Sequence, residues 1–211
     1  MTAIELAARL LEVDVRALIL DMDGVIRIWE TSVQESIETA HGLPLGRLEE
    51  IAHQVPEYQL GVIGRCTFSD WIRAARLAAK TEFGAPGADA VDEWASYRGS
   101  TDPAMLALVG DVKRWLPVFV LSNAHDCFPD DMNRLGLSSR FDGMFHSAAM
   151  GVAKPDIAIF DRVLADIGIS ANQAVFVDDR AENVAAAQSA GMRAVQFGGV
   201  HRLISDVRAC L

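Results

Sequence analysis

A chain of 211 residues, 51% of them hydrophobic, is long enough for a sizeable core and exceeds the usual size of one domain, unless that domain carries an insertion. Its net charge of −10 leaves no basic stripe to meet nucleic-acid phosphates or an anionic membrane surface, and no stretch approaches the ~18 apolar residues needed to span a bilayer. A small phosphate ester remains open as a substrate, because one metal ion reverses the field around it.

Residues 2–11 carry Ile4, Ala7, Ala8 and Leu11 on one helical face and read as a short amphipathic helix. Met1 to Val13 has no basic region and includes Glu5 and Glu12, so it is no signal peptide. Val15 to Leu20 is the first strand, and its continuous apolar run marks it as buried on both faces of a parallel sheet. It runs into Asp21, Asp23 and Gly24. From Thr31 to Gly99 only helical patterns and breakers follow: Thr31 to His41, Pro44 to Gln54 stopped before Pro56, Thr67 to Lys80 with an N-cap at Thr67, and Ala88 to Tyr97. Gly84, Pro86 and Gly87 separate the last two. Arg27 to Trp29 and Gly99 to Pro103 are the hinges of this block.

Strand–helix alternation resumes at Asp102. A helix runs to about Trp115 with Pro103 at its first position, then the Pro117–Leu121 strand and a helix near Asp130 to Leu135. A short strand at Met144 to Ser147 and a helix from Asp156 to Ile167, with Pro155 at its first position, come next. The chain closes with the Ala174–Val177 strand, a helix from Ala181 to Ala190, a strand at Ala194 to Phe197 and a helix from His201. This order implies right-handed βαβ crossovers and a doubly wound, Rossmann-like α/β fold with an inserted all-helical domain. Residues 1–27 and 101–211 form the α/β catalytic core, and 28–100 the helical cap. Cys66, Cys127 and Cys210 are odd in number and lack a CxxC, so they read as reduced thiols of a cytoplasmic protein, not a disulfide frame or zinc site.

Ligands of open α/β sheets bind at the carboxyl ends of the strands. Three strand ends here carry polar groups: Asp21 and Asp23, Ser122 and Asn123, Asp178 and Asp179. Asp-x-Asp-Gly alone is equally a polar turn. Four converging carboxylates require protons or a cation, and all-oxygen ligands select a hard one such as Mg²⁺. Phosphoryl transfer uses this set: Asp21 attacks as a carboxylate to give an aspartyl phosphate, and Asp23 protonates the leaving alcohol, then activates water. Ser122 and Asn123 donate to phosphate oxygens. Lys154 supplies a lone cation from a loop, its bland alternative being an exposed surface lysine.

The ordered set Asp-Met-Asp-Gly, Leu-Ser-Asn-Ala, Lys-Pro-Asp and Val-Asp-Asp resembles the four motifs of the haloacid dehalogenase-like (HAD) hydrolases, and the helical insert resembles that family's type-1 cap. Asp179 to Asn183 and Gly191-Met192 are similar to the branch holding sugar-phosphate phosphatases and the phosphatase domain of soluble epoxide hydrolase. The resemblance implies Asp21 as nucleophile, Asp23 as acid/base, Ser122 and Lys154 on phosphate, and Mg²⁺ held by Asp21, the Asp23 carbonyl and Asp179. Asp178 is either a further ligand or a partner of Lys154. The dehalogenases lack the second Asp of the first motif, so Asp23 matches the phosphatases.

Other residues carry two readings each. Arg27 and Trp29 at the first hinge either pack or touch substrate, and so does His125. Arg65, Arg73 and Arg76 either form a solvated face or line the cap and meet a second anion. His41, His53 and His201 show no ligand spacing. The expectation is a Mg²⁺-dependent phosphomonoesterase of a small phosphorylated metabolite, a monomer or homodimer engaging neither nucleic acid nor membrane. The rivals are a 2-haloacid dehalogenase, a phosphomutase and a non-catalytic binding or regulatory relative.

Overall fold

The computed structural model describes residues 12–210; the amphipathic helix expected at residues 2–11 lies outside them. Five parallel strands form the central sheet in the order β5 (Gly143–His146), β4 (Val118–Ser122), β1 (Ala17–Leu20), β6 (Ala174–Asp178) and β7 (Arg193–Gln196). β1 lies in the middle, with Leu20 in register with Val120 on one side and Val177 on the other. One residue later the same register carries Asp21 beside Asp178.

Strand alternation divides the sheet between two cores. Leu18, Leu20, Val118, Val120, Val175 and Val177 face one side, against α6 (Pro103–Val112), α7 (Phe128–Arg134) and α11 (Val200–Cys210). Ile19, Leu121 and Phe176 face the other, against α9 (Ile157–Ile167) and α10 (Ala181–Ser189). Both faces are covered by helices, which is why β1 and β6 read as unbroken apolar runs. A single helical turn, α8 (Ser147–Met150), follows β5.

Between the first two elements of the core lies a block of five helices: α1 (Thr31–His41), α2 (Arg47–Gln54), α3 (Pro56–Val62), α4 (Phe68–Phe83) and α5 (Ala85–Ser96). It has its own apolar centre of Ile37, Leu48, Ile51, Trp71, Ala75, Ala79 and Val91. Thr67 caps α4 in a full capping box with Asp70. The buried carboxylate of Glu38 accepts the backbone N–H groups of Gly46 and Leu48 at 2.7 and 2.8 Å, closing the start of α2 from a distance.

The structure departs from the sequence reading at several places. Pro56 opens α3 instead of only stopping α2, because a helix tolerates proline where its first N–H has no partner. Pro86 likewise sits in the first turn of α5, so Gly84 alone separates α4 from α5. Pro155 does not begin α9; the N-cap is Asp156, whose carboxylate accepts the Ala158 N–H at 2.9 Å, and Pro155 precedes it after a cis peptide. Finally, the hinges pair with each other: β2 (Arg27–Ile28) and β3 (Ser100–Thr101) form an antiparallel ribbon, with Ile28 opposite Ser100. Two-residue strands are too short to leave a periodic signal.

Among the described residues no helix is long and apolar enough to cross a membrane.

Candidate active site

Asp21 leaves the buried end of β1 with 5% of its surface exposed. Its Oδ1 accepts the Met22 N–H at 2.7 Å and lies 2.8 Å from Lys154 Nζ. Lys154 is buried rather than a surface lysine, and its ammonium reaches Asp178 Oδ2 at 2.7 Å and the Leu121 carbonyl at 2.9 Å. With Asp21 these three acceptors use all three of its protons. Burial opposes the charge of Lys154, but Asp21 and Asp178 outweigh that and hold its pKa above the ordinary lysine value. Burial likewise pushes Asp21 up to about 7, against the pull of Lys154 and with the push of Asp178.

The two carboxylates of the Asp178-Asp179 pair meet different surroundings. Asp178 is fully buried, and besides Lys154 it accepts Asn183 Nδ2 on both oxygens at 3.0 Å and the Arg180 N–H at 2.9 Å. Asp179 is more open, and burial followed by the charge of Asp178 raises its pKa. Its Oδ2 lies against Gly24: a Cβ there would come within 2.4 Å of it, and Gly24 has φ +80°. Only glycine fits both the turn and the space. Oxygens of Asp21, Asp178 and Asp179 all lie within 4.8 Å of one another. With all three carboxylates ionised, one lysine among them leaves a net double negative charge, and an all-oxygen donor set of that charge fits a hard divalent cation such as Mg²⁺.

Ser122 and Asn123 end β4 beside this cluster. Ser122 Oγ is buried and has no hydrogen-bond partner among the described residues, a costly state that a ligand oxygen would relieve. Asn123 differs: its Nδ2 donates to the Lys154 carbonyl and its Oδ1 accepts the Lys154 N–H, both at 2.8 Å. Its amide clasps the lysine loop to the β4 loop with one N–H and its carbonyl oxygen.

Asp23 stands apart from the carboxylate cluster. Both its oxygens pair with Arg27, at 2.6 and 2.9 Å, and Trp29 Nε1 donates to Oδ1 at 2.7 Å. Arg27 is 4% exposed and also faces Asp131 at 3.3 Å, whose other oxygen lies 2.9 Å from Arg98. A cavity of about 450 Å³ opens from Asp23 and Asn123 into the seam with the helical block. Arg27, Trp29 and His125 line it, whereas Arg65, Arg73 and Arg76 do not. Arg73 pairs with Asp70 and Arg76 with Asp92 on the outer surface.

His125 reaches from the β4 loop into the helical block. It stacks on Trp71 at 4.4 Å and 5°, and its Nε2 lies 3.2 Å from the Tyr58 carbonyl. Gly61 makes room, since a Cβ there would meet the imidazole at 2.3 Å. Cys66 and Cys127 are free thiols, and burial pushes Cys127 up to about 12. The histidines take no part in a metal cluster among the described residues.

Residue pattern alone misses Asn183, Ser147, Asp131 and Arg98. Ser147 Oγ accepts the Ala124 N–H at 3.0 Å and so fixes the loop after Ser122. Asn183 has a readable trace, a side-chain amide in the first turn of the helix after Asp178. Asp131 and Arg98 have none, being brought together only by the ribbon and α7.

A family model for the haloacid dehalogenase-like hydrolases matches residues 15–191. The sesquiterpene phosphatase astK of Aspergillus oryzae is 28% identical over 84% of this chain and 87% of its own length. Phosphatase MT3486 of Mycobacterium tuberculosis is 29% identical over 85% of this chain and 86% of its own. Among solved structures, a HAD family enzyme of Bacteroides thetaiotaomicron in complex with magnesium and inorganic phosphate superposes with a TM-score of 0.69 at 20% identity, over 86% of this chain and 93% of that one. The buried-strand carboxylates, the ordered motifs and the match over most of the chain have one conclusion: this protein belongs to the haloacid dehalogenase-like hydrolases.

Proposed function

We propose that the protein is a Mg²⁺-dependent phosphomonoesterase of small phosphorylated metabolites, working through a phosphoaspartate on Asp21. The observation that carries this reading is the cluster of three carboxylates, two of them paired with Lys154, beside the unpartnered hydroxyl of Ser122. The phosphatase names of the two relatives and the magnesium and phosphate bound by the Bacteroides enzyme support it.

In this reading an Asp21 oxygen attacks phosphorus and the bond to the leaving oxygen breaks. Asp23 delivers a proton to that oxygen, then takes one from the water that cleaves the acyl phosphate. Asp21, the Asp23 carbonyl and Asp179 would hold Mg²⁺, which when bound offsets the negative charge of the phosphoryl oxygens so that a carboxylate can approach. Asp178 is assigned to positioning Lys154, since both its oxygens already have partners. Ser122 donates to a phosphoryl oxygen, and Asn123 holds the two loops in register. Residues 28–100 act as a cap over residues 1–27 and 101–211, covering the leaving group and excluding water. The test is phosphate release from a panel of phosphomonoesters with and without a chelator, alongside Asp21→Asn. Turnover that survives chelation, or that survives Asp21→Asn, would overturn the reading.

A further inference from the structure

The cavity that opens beside Asp23 and Asn123 has a wall chemistry that bears on what the phosphate is attached to. Its volume of about 450 Å³ falls in the ~300–1,000 Å³ range of small-molecule pockets. Seven aromatic residues line it: Trp29, Tyr58, Phe68, Trp71, Trp94, Tyr97 and Phe128. Two cations also line it, Arg27 and Arg98, and each already faces a carboxylate: Arg27 pairs with Asp23 and Asp131, and Arg98 lies 2.9 Å from Asp131 as an ion pair, although its Nε makes no hydrogen bond. A second phosphate or a carboxylate on the substrate would have to break these buried pairs to find a counter-charge. It would also meet Glu30, whose Oε2 is buried without a hydrogen-bond partner.

A cationic group is no better served. Aromatic faces recognise ammonium ions, but here the guanidinium of Arg27 lies 4.7 Å over the ring of Trp29 and that of Arg98 lies 4.7 Å over Phe68. His125 is stacked on Trp71. The protein's own side chains hold these three faces, and the guanidinium groups of Arg27 and Arg98 oppose a second cation, for which Glu30 is the one unpartnered counter-charge in the wall among the described residues. We infer that the alcohol carried by the phosphate is uncharged and largely apolar, an alkyl, alicyclic or aryl group that fills the seam between core and cap. This rests on the phosphomonoesterase reading for the phosphate end and on the cavity wall for the other.

The experiment is a homologous series of ethyl, butyl, hexyl and octyl phosphate with the full chain and Mg²⁺, compared with a sugar bisphosphate and phosphocholine. Burying each added methylene should raise kcat/KM by up to about fourfold until the cavity is full. The sugar bisphosphate and phosphocholine should do no better than ethyl phosphate. The non-hydrolysable alkyl phosphonates, titrated for binding, should show the same rise in affinity with chain length. Ala95 lines the cavity from α5, and Ala95→Phe fills it, so this variant should flatten both series. A flat or falling binding series, or a preference for the bisphosphate or phosphocholine, would overturn the inference. If phosphonate affinity rises with chain length while no phosphate is hydrolysed, the inference about the cavity stands and the phosphomonoesterase reading falls.

Discussion

Asp178 and Asp179 are neighbours in sequence with different work. Asp178 is sealed against Lys154 and Asn183, so Asp178→Asn leaves a buried ammonium with one fewer counter-charge. Breaking buried pairs costs about 3–5 kcal/mol, and because Asp21 remains as a partner the expected loss is about 3 kcal/mol, read from urea unfolding of the metal-free protein. Asp179→Asn should leave metal-free stability unchanged or slightly raised, since it removes repulsion from Asp178. It should instead raise the Mg²⁺ concentration for half-maximal activity by at least about tenfold. Equal effects of the two changes on Mg²⁺ titration would show that the roles have been divided wrongly.

The two aspartates of the first motif separate by leaving group. Asp23→Asn should cost about 100- to 10,000-fold with an alkyl phosphate, whose alkoxide needs a proton. With nitrophenyl phosphate the first step should survive and the second should stall, giving a burst of one nitrophenolate per site. Arg27 and Trp29 hold the Asp23 side chain at the cavity edge, and the substitution leaves their own packing on each other in place. A variant that keeps its fold but shows no burst and no dependence on leaving group would remove Asp23 from the acid/base role.

At the level of elements, apolar pattern was the reliable guide and proline the misleading one. β1, β4 and β6 were legible because both faces of each are covered, which gives unbroken hydrophobic runs that end in polar residues at the ligand edge. Pro56 and Pro86 were misread because the same absent N–H that stops one helix is harmless in the first turn of the next. The N-cap at Thr67 was legible because its signal is local, a hydroxyl at the head of an apolar-periodic run; the structure adds the reciprocal bond of Asp70. Thr67→Ala should therefore cost about 1 kcal/mol, measured as a lower urea midpoint with an unchanged slope. The candidate site divides in the same way. Residues at strand ends could be named from sequence, whereas Arg98 and Asp131 could not, because long-range topology alone brings them together.

For the molecule as a whole, one contact between core and helical block is a histidine in an aromatic socket. Burial holds His125 below the ordinary imidazole value, against the opposing effects of its bond to the Tyr58 carbonyl and the charge of Asp126. In the unfolded chain it titrates near ~6.5. Below that pH the unfolded state binds a proton that the folded state refuses, so the contribution is complete above about pH 6.5 and is lost as pH falls through the depressed folded value. Its slope is at most about 1.4 kcal/mol per pH unit. Asp21, raised to about 7, acts in the opposite sense, so the informative quantity is the difference between wild type and His125→Gln. Between about pH 6.5 and 5 the variant should lose less stability on acidification than the wild type, by urea unfolding at each pH. Parallel curves would mean that His125 takes up its proton in place.

The β2–β3 ribbon brings the start and end of the helical block into register, Ile28 against Ser100. Paired antiparallel residues stand about 4.5–5.5 Å apart, so the chain enters and leaves the helical block through a single narrow doorway. Closing a loop across such a doorway costs only about 0.6 kcal/mol more for each doubling of its length. Polymer statistics therefore place little pressure on how much chain hangs from this point. An insert hung from this point can change in length or lining while the strand ends that carry the carboxylates keep their register.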